Sequence, residues 1–348
     1  MPTRIRHSTS RTALVAGGAG FLGTHLCEHL IAQDYHVICL DNLYTGTLHN
    51  LSSLRRDPRF TLIEADVCET LPQNLQVDRI YNLACPASPP HYQADPIHTL
   101  STSVIGTRNL LDLAAACGAR MLQASTSEVY GDPVQHPQPE HYWGNVNPIG
   151  VRACYDEGKR AAETLCFDYM RSCGVDVRVA RIFNTYGPRM RPDDGRIVSN
   201  LIVQALNGGP LTIYGNGEQT RSFCFVADLI DGLSRLMEVD PNPASPVNIG
   251  NPEEYSINEL ARIVSRMTRS FAPIVHQPLP SDDPRQRRPD ISLATTLLGW
   301  SPRTPVRAGL AKTIGWFASL MDRDAAATRP PVGSNGFILP LAAAARGA

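Results

Sequence analysis

The sequence predicts an α/β fold: a doubly wound parallel sheet with a smaller second region packed over it. Three observations carry this reading. Short β-branched runs alternate with longer helical patterns through the first half of the chain, a glycine-rich turn joins the first strand to the first helix, and the alternation breaks after Ile182. Strands separated by helices form βαβ units, whose crossovers demand parallel strands.

In order, Thr12–Ala16 reads as a strand, and residues 21–31 as a helix with Leu22, Leu26 and Leu30 on one face. Strands are expected at residues 36–40, 61–64 and 79–83, followed by a helix over 99–117 and a strand at 121–124. A helix over 157–173 and a strand at 176–181 complete the regular pattern. Beyond Ile182, stretches rich in Gly, Pro and Arg (187–195, 207–217, 273–289) separate shorter elements, as expected for a second region rather than a longer sheet. Residues 323–348, rich in Ala, Pro and Gly, are expected to be a tail.

Composition narrows the function classes. A chain of 348 residues with 43% apolar content supports a sizeable core. Lys and Arg number 32 against 33 Asp and Glu, a balance that argues against a nucleic-acid partner. The nine cysteines are scattered, with no C-x-x-C pair, which argues for a reducing compartment and against a disulfide framework or metal site. Residues 1–10 contain no apolar run, and no stretch is long and apolar enough to span a membrane. A soluble cytoplasmic protein is expected.

The first turn carries a cofactor signature. Gly17, Gly20 and Gly23 lie between the first strand and the first helix, with Phe21 and Leu22 opening the helix. Residues without Cβ there let backbone amides approach a pyrophosphate at the helix N-terminus, which marks a Rossmann-type dinucleotide site. Asp41 ends the second strand, where a carboxylate accepts from both ribose hydroxyls and repels a 2′-phosphate, favouring NAD over NADP. Asp66 and Val67 follow the third strand, on the adenine side.

Tyr155 and Lys159 are spaced by four, on one helix face. An ammonium beside a phenol, together with an oxidised nicotinamide, lowers the tyrosine pKa towards neutrality and suits it to remove a hydroxyl proton. Ser125, Thr126 and Ser127 lie at a strand end between fingerprint and pair.

Longer stretches carry a family resemblance: Ala87 to Tyr92, Ser125 to Pro133, Tyr142 to Gly150, Cys154 to Arg160, Ala180 to Met190, Asp194 to Asn200, Gln219 to Phe223, and Leu298 to Trp300. Over about residues 11–322 the chain resembles the extended short-chain dehydrogenase/reductases and, within them, the UDP-glucuronate decarboxylases, or UDP-xylose synthases. The resemblance implies Tyr155 as base, Lys159 as its partner, Thr126 near the sugar C4 oxygen, Glu128 as a catalytic glutamate and Arg221 in decarboxylation. It implies Asn184, Arg196 and Arg287 near the UDP portion. It implies cofactor contacts at Gly20, Phe21, Leu22, Asp41, Asn42, Leu43, Tyr44, Thr45, Gly46, Asp66, Val67, Leu83, Thr102 and Thr185. It also implies a homodimer formed through the two long helices. The expected division is a Rossmann domain of 11–182 and 219–250, with a C-terminal α/β substrate-binding region of 183–218 and 251–322.

The chemistry fits these groups. Oxidation at C4 makes a β-keto acid, which loses carbon dioxide because the remaining electrons delocalise into the carbonyl. Glu128, facing a substrate carboxylate, is expected to carry a raised pKa or to disfavour that charge. Rival outcomes on this scaffold are release of the 4-keto pentose with net NADH, 4-epimerisation, 4,6-dehydration, and NAD sensing without catalysis. Ser127 stands where dehydratases usually carry an acid, whereas epimerases usually lack one at the Glu128 position. His98 and Ser101 occupy positions commonly lysine in the family, the second expected near substrate, and Cys85 replaces a more usual serine.

Overall fold

The computed structural model describes residues 11–279 and 286–327. Strands β1 (Thr12–Ala16), β2 (His36–Asp41), β3 (Phe60–Glu64), β4 (Arg79–Asn82), β5 (Arg120–Thr126) and β6 (Val177–Ile182) join a seventh strand, Pro246–Ile249, in one sheet. From one edge the order is β3, β2, β1, β4, β5, β6 and then Pro246–Ile249, with every neighbouring pair parallel. The order reverses between β1 and β4, which opens a crevice at the carboxyl ends of the strands, where ligands of such sheets bind.

Alternation along β1 divides the core. Ala13 and Val15 pack into one apolar layer with Leu26 and Leu30 of the first helix, while Leu14 and Ala16 pack into the other with Leu110 and Leu111. A sheet buried on both faces needs apolar residues at every position, which is why β1 reads as a continuous run.

Three expectations are corrected. The helix expected over 99–117 is broken: Pro96–Ser101 and Thr107–Cys117 flank a π turn, Thr102–Gly106. Thr102 Oγ1 donates to the His98 carbonyl at 2.8 Å, and a Cβ on Gly106 would lie 2.5 Å from Val67 Cγ2. Side-chain competition for the helix ladder and this close approach favour a local widening that periodicity does not reveal. The helix expected from 157 begins at Ala153, which places Tyr155 in its first turn. The last helix, Val306–Ala327, runs five residues into the expected tail, because Arg323 to Ala327 contain only good or moderate helix formers and no proline. Residues 328–348 of that expectation lie outside the described residues.

Over the sheet sit smaller pairings. Thr220–Ser222 lies between Glu254–Ser256 and Gln286–Arg287, with Arg287 in register beside Arg221. Leu211–Tyr214 pairs with Ile274–Gln277. The three-stranded pairing brings two arginines from distant parts of the chain to one wall of the crevice.

Candidate active site

A cleft of about 570 Å³ collects nearly every residue singled out from the sequence. Of the expected cofactor contacts, Leu43 and Gly46 alone do not line it. They act one step back: the Leu43 amide donates to Asp41 Oδ1 at 2.8 Å, and Gly46 packs so closely that a Cβ would sit 2.8 Å from that oxygen.

The glycine turn is built by close approach. Gly17 has φ +76, and a Cβ there would lie 2.8 Å from the Leu83 backbone. A Cβ on Gly23 would run into the Gly17 carbonyl oxygen. No side chain caps the Phe21–Ala32 helix at Gly20, so its first amides are left for an anion. Asp41 Oδ2 accepts from the Ala19 amide at 2.9 Å, which ties the end of β2 to the turn. With Leu43 on the other oxygen, each oxygen keeps a lone pair for a further donor. Burial pushes the Asp41 carboxyl up, against these two hydrogen bonds. Asp66 Oδ2 accepts from Asn42 at 2.7 Å and meets His98 at 3.3 Å. The cleft wall takes His98 and Thr102 from this segment rather than Ser101. The cradle that Cβ atoms would fill, the uncapped amides and the anchored carboxylate fit a dinucleotide.

Tyr155 stands at the far side of the cleft, 6% exposed. Thr126, on the same wall, favours ionisation of the Tyr155 phenol. Burial nevertheless dominates and, with Cys85 and Glu128 nearby, pushes the phenol up. Lys159 Nζ donates to the Ala124 carbonyl at 3.0 Å and lies 5.7 Å from the centroid of the Tyr155 ring. The expectation that this pair lowers the tyrosine towards neutrality is therefore corrected for the protein by itself: desolvation outweighs it.

Glu128 gives the larger correction. It follows Thr126 on a short 3-10 turn, Ser127–Tyr130, its amide donating to Thr126 Oγ1 at 3.2 Å. Arg287 grips it from both nitrogens at 2.6 Å each, and Arg152 Nη2 reaches Oε2 at 2.5 Å. Burial would raise this carboxyl, but the two guanidinium groups outweigh it and pull it down to about 2. Glu128 is an ionised acceptor, not the raised acid expected, and Arg287 holds Glu128 as well as facing the cleft.

Arg221 and Asn184 line the cleft, Arg221 also donating to the Thr220 carbonyl at 2.8 Å. Arg196 lines it too, paired with Asp194 at 2.5 Å. Three residues were missed in the sequence. Arg152 clamps Glu128; Asp156 lies one turn beyond it; Tyr92 stacks on Tyr155 with centroids 5.0 Å apart. The four-residue spacing of Arg152 and Asp156 across Tyr155 was the available signal.

Sheet order, glycine turn and cleft together define a dinucleotide-dependent α/β enzyme. The chain belongs to the NAD dependent epimerase/dehydratase family, whose profile matches residues 13–250. It is 56% identical over 314 residues to UDP-glucuronic acid decarboxylase 3 of Arabidopsis thaliana, covering 89% of this chain and 91% of that one. It is 54% identical over 312 residues to UDP-glucuronic acid decarboxylase 1 of Xenopus tropicalis, covering 90% and 73%. Among solved structures it is similar to a UDP-glucuronic acid 4-epimerase from Bacillus cereus in complex with UDP-glucuronic acid and NAD (TM-score 0.78, 29% identity, 89% and 99% covered). A UDP-glucose 4-epimerase from Thermotoga maritima with UDP-glucose superposes with TM-score 0.82 at 26% identity, covering 89% and 99%. The resemblance read from the sequence and the NAD assignment are borne out at the level of the family.

Proposed function

We propose that this chain converts UDP-glucuronate to UDP-xylose with NAD as a recycled cofactor. One observation carries the reading: an ionised Glu128, held by two arginines, shares a cleft with Tyr155, Thr126 and Lys159. The decarboxylase names of relatives at 54–56% identity support it.

Gly17, Gly20 and Gly23 would hold the pyrophosphate of NAD, and Asp41 its adenine ribose. When bound, NAD supplies reversible hydride acceptance at the sugar C4. Tyr155 takes the proton of the C4 hydroxyl, with Thr126 beside it in the cleft. Lys159, fixed on Ala124, adds positive charge to this corner of the cleft. The C4 ketone is β to the carboxylate, so carbon dioxide leaves as its electrons enter the carbonyl. Tyr155 and Thr126 then hydrogen-bond the enolate oxygen. Being ionised, Glu128 does not donate the C5 proton itself; it fixes the two arginines, and a water donates that proton, the hydroxide it leaves being reprotonated from solvent. Arg221, beside Arg287, faces the substrate carboxylate, and Asn184 and Arg196 meet the UDP portion.

The test is purified protein incubated with UDP-glucuronate and followed by mass spectrometry. Loss of one carbon dioxide without net NADH is expected. A keto pentose accompanied by NADH, a dehydrated sugar, or a product of unchanged mass overturns the reading.

We further infer a cytoplasmic homodimer. All nine cysteines are free thiols, and among the described residues no helix is long and apolar enough to cross a membrane. Ile97, Leu100 and Ile105 expose an apolar stripe on the 96–106 segment, beside the long helix Ala153–Cys173. Light scattering that gives a monomer mass removes the dimer.

A further inference from the structure

The buried acid next to the catalytic tyrosine has no part in the mechanism. Asp156 follows Tyr155 and is 7% exposed. Its Oδ2 lies 3.8 Å from Arg152 Nε, beyond hydrogen-bond distance, and its Oδ1 accepts no hydrogen bond among the described residues. A buried ionised carboxylate with so little compensation is costly, whereas the neutral acid is tolerated. Arg152 gives Nη2 to Glu128 at 2.5 Å instead. One guanidinium thus stands between two carboxyls and is committed to one of them.

The charged and titratable groups that face this acid come from several elements. They are Arg152, Cys154, Tyr155 and Glu157 from its own helix, Glu128 from the Ser127–Tyr130 turn and Arg287 from the strand Gln286–Arg287. Tyr92, from the short helix Pro89–Ala94, is coupled to the same group: it stacks on Tyr155, and Asp156, Arg152 and Glu128 all act on its phenol. Glu157 pairs with Arg160 at 3.5 Å; over Arg152, Arg287, Glu128 and Asp156, a neutral Asp156 leaves a sum of one positive charge. With Asp156 ionised, those four groups sum to zero.

We propose that Asp156 is a positioning residue that sets the charge of the Glu128 clamp. Protonated, it leaves Arg152 to Glu128 and keeps the cluster cationic towards a substrate carboxylate. Ionised, it draws Arg152 off Glu128 and cancels that charge. This rests on the decarboxylase reading, which supplies a sugar bearing a carboxylate. Burial, then the charge of Glu128, push Asp156 up to about 7 against Arg152 and Arg287, so the change falls at neutral pH.

The test uses the full chain with NAD, UDP-glucuronate as substrate, and UDP-glucose as a competitor whose sugar has no carboxylate. In the wild type, kcat/KM for UDP-glucuronate falls about tenfold between about pH 6 and about pH 8 through a rising KM, as expected for one essential protonated group. The inhibition constant of UDP-glucose stays within about twofold over that range. Asp156→Asn, neutral at every pH, abolishes the fall and holds the low-pH value; Asp156→Glu keeps an inflection. Asp156→Ser serves as a second neutral variant should the first not fold, with melting temperature and NAD retention as checks. A fall that persists in the neutral variants, a flat wild-type profile, or a parallel change for UDP-glucose overturns the proposal. A wild type that releases no carbon dioxide at any pH sinks the decarboxylase reading instead.

Discussion

Arg287 donates from both terminal nitrogens to Glu128, at 2.6 Å each, across 159 positions of sequence. This fork-on-carboxylate geometry gives Glu128 its low pKa and sets where Arg287 sits in the cleft. Arg287→Lys keeps the charge but loses the fork. Turnover of UDP-glucuronate is expected to fall about 10²-fold or more while NAD stays bound, since a loosely held group loses its alignment. Steady-state kinetics beside cofactor quantitation decide this; an unchanged kcat refutes it.

The same clamp predicts a pH signature in stability. The folded value of Glu128 is depressed from 4.5 to about 2, so its stabilisation is complete above about pH 4.5 and is lost as the pH falls towards 2. Glu128→Gln is expected to melt below the wild type at neutral pH, with the gap narrowing as the pH drops through that window. Melting curves at stepped pH measure it, and a gap independent of pH contradicts the assignment.

Tyr155→Phe removes the hydroxyl and leaves the stack on Tyr92. Turnover should fall about 10²- to 10⁴-fold, the range for loss of a positioned acid–base group, with little change in melting temperature. Retained turnover would move the base elsewhere.

Gly23→Ala places a methyl against the Gly17 carbonyl oxygen, where backbone cannot yield cheaply. We expect loss of bound NAD, read by absorbance of the extracted cofactor, with the protein still folded by circular dichroism. Normal NAD content in this variant would mean that the turn is not the cradle.

Arg181 grips Glu163 at 2.9 and 2.7 Å, and Ser125 adds a third hydrogen bond at 2.5 Å, pinning the helix that carries Tyr155 to strands β5 and β6. Arg181→Met leaves a buried carboxylate without its cation. A loss of about 3–5 kcal/mol is expected by urea denaturation, and a change below about 1 kcal/mol would show the pair to be expendable.

Much of the fold was legible because it is local. The boundaries of β1 and the first helix follow from a β-branched run, a glycine turn and a four-residue apolar repeat. The helix of residues 99–117 was misread at Thr102–Gly106, because a π turn answers to Val67 and His98 rather than to periodicity. Arg152 escaped notice because its local mark, the four-residue spacing to Asp156, says nothing of the glutamate 24 positions earlier that it bonds.

By itself the sequence determined the glycine cradle, the carboxylate ending β2 and the tyrosine–lysine spacing, since each depends on residues within a turn or two of one another. Tertiary structure alone decided the charge state of the acids. Glu128 is ionised and Asp156 is pushed up to about 7, although both acids are largely removed from solvent beside the same arginine. The difference is distance: packing brings Arg287 and Arg152 to Glu128 at 2.6 and 2.5 Å, while Arg152 stands 3.8 Å from Asp156. Coulomb energy and desolvation depend on distance and burial in space, and neither is written in the local order of residues.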